Sequence, residues 1–539
     1  MSPATDSRRY PTALLFPLFF LVLFALHAPL LHLPYFWDEA GYYVPAARDV
    51  LHTGSLIPHS TLSNAHPPLV MAYLALTWKI MGFAPVVTRT AMLLLAAFSL
   101  LGVFRLAQRV ANTEVAVGSA ICTALYPVFF SQSSLAHLDL AAAGLTFWGM
   151  LAYVKDRRLA TAIWFSLAVL TKETAILAPL ALFFWEALPQ GLKPGLGMAT
   201  GGTAEAVPFQ RSWRAELLVP ILPLALWYSY HYLRTGFVFG NPEFFRYNVQ
   251  ATVQPLRILL ALGLRLWQVL GYLNLYFLTL ATLLAMGRPP IKDSNPERPR
   301  IALHTQFAFL SVIVTYALAM AVVGGAVLAR YMLPVFPLVI IICVSTLRRR
   351  VQKWRVVVGI VALTFAAALF VNPPYGFSIE DNLAYRDYIR LHQGAENFLE
   401  ARYPMARVLT AWPASDELSR PYLGYVTRPM RVVRIEDFTA EQLLSATDLR
   451  SKFDVALVFS TKYEPPHPWF ERWHQWQQWK TEFFGYHRDV PPAAAAQILG
   501  GQLVYQTQHK NQWVGVIEVE GVEEARAISR HENARHPFE

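Results

Sequence analysis

The sequence predicts a polytopic α-helical membrane protein with about eleven transmembrane helices and a C-terminal α/β domain outside the cytoplasm. Three observations predict it. Of 539 residues, 55% are hydrophobic and only 15% are charged, whereas a soluble globular protein carries about 25% charged residues. Apolar runs near the ~20 residues needed to cross a hydrocarbon core recur along the first two thirds of the chain. Beyond about Pro373 the chain gains charge, and short β-like runs replace the long apolar ones.

The elements follow in order. Arg8 and Arg9 precede an apolar run over 14–33. That run is long for a signal peptide and lacks a small-x-small cleavage site before Trp37, so it reads as a retained first helix. Spans are expected near 11–33, 86–107, 113–131, 137–154, 159–171, 174–188, 215–233, 258–286, 303–325, 330–347 and 354–372. The stretch 67–82 is short and contains Lys79, so it reads as an interfacial or re-entrant helix. This sets the parity of everything after it.

Charge tests that parity. With the N-terminus in the cytoplasm, inner loops hold Arg8 and Arg9, Arg105 and Arg109, Lys155, Arg157 and Arg158, Lys193, Arg211 and Arg214, Arg288, Lys292, Arg298 and Arg300, and the basic run 348–355. Outer short loops hold far fewer, as the positive-inside rule requires. The Gly-, Ala- and Thr-rich stretch 196–207 becomes a flexible cytoplasmic loop, and the chain after Pro373 lies outside. There, β-like runs at 407–411, 430–435, 455–460 and 513–519 alternate with helical stretches near 379–401 and 440–452, which predicts a small α/β domain. The Trp-rich stretch 469–484 suits packing, a membrane interface or sugar stacking. The expected organisation is a membrane domain over 1–372, with a first outer loop over 34–85, and an extracytoplasmic domain over 373–539.

The net charge of +10 does not point to nucleic acid, because the basic residues sit in short loops between apolar segments. Cys122 and Cys343 both lie in apolar segments and the C-terminal part has no cysteine. That part therefore holds no disulfide and no Cys-based metal site.

Ionisable residues at membrane depth are costly and mark function by default. Asp38 and Glu39 lie just after the first helix, before Tyr42 and Tyr43. They read as a general base with a supporting acid, or as an acidic cap on an interfacial helix. His66 precedes Pro67, Pro68 and Leu69, where two prolines close a loop and open a helix. It reads as a phosphate ligand, as an orienting partner of Asp38 or as a helix-entry residue. His137 and Asp139 stand at the head of a span, where an acid is favourable in any case. Lys172 and Glu173 sit between two apolar segments, as a self-neutralised pair or with the lysine turned to a phosphate. Arg330 and Tyr331 follow the Gly324-Gly325 break. All fall on the outer face in this topology.

This ordered series resembles the GT-C polyprenyl-phosphate-sugar glycosyltransferases, in particular the protein O-mannosyltransferase, aminoarabinose transferase and bacterial RgtA-to-D-like group. The acidic pair Asp38-Glu39 and the His66-Pro67-Pro68-Leu69 sequence carry most of the resemblance, which spans about 10–350. It implies an inverting transfer of a sugar from a polyprenyl-phosphate donor to a hydroxyl of a lipid, glycan or protein acceptor, on the extracytoplasmic face of what is expected to be a bacterial inner membrane. Asp38 would be the base or acceptor-positioning group, assisted by Glu39 and Asp139. Lys172, Arg330 and His66 would bind the donor phosphate. Tyr42, Tyr43, His137, Glu173 and Tyr331 would contact substrate. No cofactor is required and no metal ligands are assigned, a divalent cation being optional. Besides its substrates, the chain's partners are membrane lipids. The chemistry agrees, because a lipid-carried donor suits a compartment without nucleotide sugars. The competing reading is a transporter or lipid flippase of envelope precursors, which would scatter charges through several helices and show inverted repeats.

Overall fold

A computed structural model describes residues 11–188, 214–240, 242, 245, 252–291, 298, 300–465 and 473–519. The inner-loop residues Arg8, Arg9, Lys193, Arg211 and Lys292, the 196–207 loop and the start of the Trp-rich stretch lie outside the described residues. The chain divides into two compact units. One comprises Met1–Leu31 and Pro45–Val371; the other comprises His32–Val44 and Asn372–Glu539.

The first unit is helical. Among the described residues, four helices are long and apolar enough to cross a membrane: Thr12–Leu30, Pro85–Val110, Pro255–Met286 and Leu303–Val322. Shorter apolar helices accompany them, including Leu69–Met81, Asp139–Val154, Arg158–Thr171 and Trp354–Ala368. Leu14, Leu233, Leu284 and Leu363 are strongly exposed, an apolar exterior suited to lipid.

Apolar runs that read as single spans are interrupted. The 113–131 run is Thr113–Leu125 followed by Pro127–Gln132, because Pro127 has no N–H to continue the ladder. The 258–286 run breaks between Leu270 and Leu275, where Leu273 and Asn274 take φ of 46° and 70°. Irregular backbone in such a setting must be satisfied internally. The Tyr126 hydroxyl donates to the Tyr272 carbonyl (3.3 Å), and the Asn274 amide donates to that of Thr364 (2.9 Å).

The second unit carries a five-stranded mixed sheet. Its strands are β1 (Arg407–Ala411), β2 (Arg431–Ile435), β3 (Val455–Phe459), β4 (Gly501–His509) and β5 (Gln512–Val519). Their order is β2-β1-β3-β5-β4. β1 runs parallel to β2 and β3, while β5 is antiparallel to β3 and β4. β3 reads Val-Ala-Leu-Val-Phe and is buried along its whole length, the pattern of a central strand covered on both faces. Lys510 and Asn511 close the β4–β5 hairpin with φ of 45° and 65°, the positive values that a two-residue turn needs to match strand twist. Helix Ala384–Arg402 precedes the sheet.

Candidate active site

The ionisable residues singled out in the sequence fall into two groups, one in each unit. In the first unit, helix breaks create the group. Helix Arg158–Thr171 stops at Lys172, which is extended (φ −152°, ψ 131°), and a short 3₁₀ turn, Glu173–Ile176, follows. Helix Leu303–Val322 ends just before Gly324, whose φ of 98° belongs to glycine's region. Arg257 donates to the carbonyls of Gly324 (2.7 Å) and Gly325 (3.2 Å). Arg265 donates to those of Met320 (3.2 Å) and Leu328 (2.7 Å), and Gln268 to that of Val327 (2.8 Å). Cationic donors at a helix C-terminus satisfy its orphan carbonyls. The segment 324–328 is therefore held by these donors, and the 3₁₀ turn Ala329–Met332 presents Arg330 and Tyr331.

Asp139 opens helix Asp139–Val154 and is the common partner. Its Oδ1 lies 2.5 Å from Lys172 Nζ and its Oδ2 lies 3.5 Å from Arg330 Nε. All three side chains are at least 95% buried. Arg330 Nη1 is 3.0 Å from His137 Nδ1. Gln132 Oε1, an acceptor, lies 2.8 Å from the same nitrogen. Tyr331 gathers three cations over its ring: Lys172 Nζ at 4.3 Å from the centroid, and the guanidiniums of Arg265 and Arg330 at 5.7 Å.

Lys172 and Glu173 are thus not a self-neutralised pair. Lys172 turns to Asp139, and Glu173 Oε2 sits 2.8 Å from His66 Nδ1. His66 is held by its own loop. Ala65 before it takes φ of 58°, and Trp227 Nε1 donates to the Ala65 carbonyl at 2.8 Å. Pro68 caps helix Leu69–Met81 after it, as the paired prolines predict.

The second unit holds the acids. Trp37 takes φ of 46°, and a single π turn, Glu39–Tyr43, follows; both features recur at functional sites. Glu39 is fully buried, and its Oε2 accepts the Phe36 N–H at 2.8 Å. Asp38 is half-buried, as is Tyr42, while Tyr43 is buried. The rest of the unit grips this segment. Tyr35 N–H donates to the Leu423 carbonyl at 3.1 Å. Phe36 and Trp37 pack on Tyr388 with centroids 5.4 and 5.7 Å away, and Trp37 meets Trp412 edge-on at 5.2 Å. Trp412 lies so close that a Cβ on Gly41 would be 2.8 Å from its ring.

Sequence reasoning missed Gln132, Arg257, Arg265 and Trp412. The arginines had a readable signal, being basic residues within the apolar run 258–286 or at its edge. Gln132 and Trp412 had none, because their roles depend on neighbours far away in the chain.

Residues 65–193 match the model of the family described as dolichyl-phosphate-mannose-protein mannosyltransferase. Among solved structures, the fold is similar to that of ArnT from Cupriavidus metallidurans bound to undecaprenyl phosphate. The two are 13% identical with a TM-score of 0.52, over 94% of this chain and 97% of that one. The apo state of the same protein gives 13% identity, the same coverage and a TM-score of 0.51. The arabinofuranosyltransferase AftD from Mycobacteria matches at 14% identity and a TM-score of 0.43, over 94% of this chain and 40% of that one. No curated protein sequence matches. The GT-C resemblance is borne out by the family model over residues 65–193 and by the fold, and the long apolar helices mark an integral membrane protein.

Proposed function

We propose that this protein transfers a sugar, with inversion, from a polyprenyl-phosphate donor to an acceptor hydroxyl on the extracytoplasmic face of a bacterial inner membrane. In this reading the membrane unit makes eleven crossings and the sheet-bearing unit lies outside the cytoplasm. The observation that carries it is the buried cationic centre: Lys172, Arg265 and Arg330 around Tyr331, with Asp139 as the carboxylate that Lys172 and Arg330 share. Cations in excess of carboxylates, in a low-dielectric setting, favour a ligand that brings negative charge. A phosphate ester does so, and the undecaprenyl phosphate held by ArnT supports the same ligand class.

The roles divide by chemistry. Lys172 and Arg330 bind the donor phosphate and stabilise the charge that grows on it as the anomeric C–O bond breaks. Asp139 is a positioning residue that sets the two cations, both of its oxygens being engaged by them. Glu39, spent on the Phe36 N–H, orients its segment. Asp38 takes the proton of the acceptor hydroxyl as that oxygen attacks the anomeric carbon through an oxocarbenium-like state. The leaving group is the lipid phosphate. The reading requires no cofactor, and the sugar and the acceptor stay open.

Asp38→Asn tests this reading. It keeps size and removes the base, so turnover at saturating donor falls about 10²–10⁴-fold while donor binding holds. Asn caps helices as well as Asp, so near-normal turnover in the folded variant would reduce Asp38 to a cap and overturn the assignment.

A further inference from the structure

We propose that His392, Glu396 and Glu417 form a divalent transition-metal site in the second unit. His392 and Glu396 are four residues apart on helix Ala384–Arg402, which places them on one face. Glu417 comes from the short helix Ala414–Ser419. His392 Nδ1 lies 2.7 Å from Glu417 Oε2 and 3.8 Å from Glu396 Oε1. One ligand atom from each residue falls within 4.8 Å of the others. Nitrogen and carboxylate donors at this spacing close on zinc, at about 2.0–2.2 Å each, with small side-chain movements.

Burial makes the argument. His392 is 1% exposed and both glutamates are 0% exposed. His392 Nε2, both carboxylate oxygens of Glu396 and Glu417 Oε1 have no hydrogen-bond partner among the described residues. Two fully buried carboxylates with lone pairs unmet by protein groups are costly. A divalent cation cancels both charges and takes up those lone pairs. A proton shared by the two glutamates is the competing solution, and burial together with the Glu417 charge does push Glu396 well above the usual carboxylate range. His392 Nδ1 already meets Glu417 Oε2 at hydrogen-bond distance, and a metal would take that nitrogen and the carboxylates together as ligands. The ring is held as a ligand should be, stacked on Tyr388 (centroids 4.0 Å apart, 28° between planes) with Phe459 at its edge (4.5 Å).

The site would join two elements that grip the acidic segment. Tyr388, one turn before His392, packs on Phe36 and Trp37. Glu417 lies five residues beyond Trp412, which covers Gly41. The ion is therefore structural, a staple behind the segment that carries Asp38. The inference stands on the second unit alone and does not depend on the glycosyl-transfer reading.

The test uses the full chain in detergent. It is stripped with a chelator, reloaded with excess Zn²⁺, dialysed and assayed for bound metal by mass spectrometry. Zinc should be retained and should raise the melting temperature. Glu396→Gln and His392→Gln should each lose one zinc per chain; folded variants that keep the wild-type zinc content would overturn the site. If either variant fails to fold, crystals of the wild-type chain soaked in Zn²⁺ decide the matter. An anomalous peak among His392, Glu396 and Glu417 supports the proposal. No peak there would overturn it and leave the shared proton.

Discussion

Replacing Lys172 by Met tests whether the buried cations serve a ligand or only one another. Lys172 Nζ is 2.5 Å from Asp139, while Arg330 holds the other oxygen more loosely at 3.5 Å. Removing one partner of a buried ion pair costs about 3–5 kcal/mol of stability. The lost charge-assisted bond to a phosphate costs a further ~1.5–3 kcal/mol of binding, or about 10- to 150-fold in donor affinity. The double variant Asp139→Asn/Lys172→Met separates the two effects. It removes the carboxylate charge left by Lys172 but also Arg330's counter-charge, so the melting temperature should recover in part, while donor affinity stays low because the lysine that contacts the phosphate is still missing. The assays are thermal melts and calorimetric titration of the detergent-solubilised chain with undecaprenyl phosphate. Recovery of affinity together with stability would make Lys172 a mere counter-ion of Asp139 and refute the phosphate role.

Three further outcomes are expected. Gly41→Ala puts a methyl group 2.8 Å from the Trp412 ring; overpacking of this kind costs about 1–3 kcal/mol. It should lower turnover and melting temperature, and Trp412→Phe in the same chain should restore part of both. Arg257→Ala removes the guanidinium that donates to the Gly324 and Gly325 carbonyls and should destabilise the membrane unit by about 1–3 kcal/mol, read as a lower denaturation midpoint. Lys462 is pushed down to about 8 by burial. The unfolded chain keeps that proton to higher pH, so between pH 8 and the ordinary lysine range the unfolded state binds more protons and stability rises with pH. Lys462→Met should flatten that rise in a pH series of thermal melts.

Much of this molecule is written in local pattern. Runs expected at 86–107, 159–171 and 303–325 are helices Pro85–Val110, Arg158–Thr171 and Leu303–Val322, because lipid demands long apolar stretches. The breaks inside such runs were less visible, since a stretch that is apolar all round has no periodicity to lose. β4 was missed for the opposite reason. Gly501–His509 is a polar, half-exposed strand at the edge of its sheet, and it acquires its conformation from β5 rather than from its own residues. Lys172, Arg330 and Asp139 were legible as charges placed where charge is expensive. Their mutual pairing was not, as it joins residues 33 and 191 positions apart in the chain, and no window of sequence contains it. The His392–Glu396 spacing was present on an expected helix, but its meaning depends on Glu417 arriving from elsewhere.

The grip of the second unit on residues His32–Val44 has a consequence for biosynthesis. The Tyr35 N–H finds its acceptor at Leu423, nearly four hundred residues later. At translation rates of about 5–20 residues per second, the acidic segment waits on the order of 20–80 s after leaving the ribosome before its partner exists. During that interval the membrane helices that follow it are inserted, and the segment lacks its packing on Tyr388 and Trp412. Ribosome-bound chains stopped short of Leu423 should therefore carry every residue of the cationic centre and still be inert. Activity would switch on only as the last third of the chain folds.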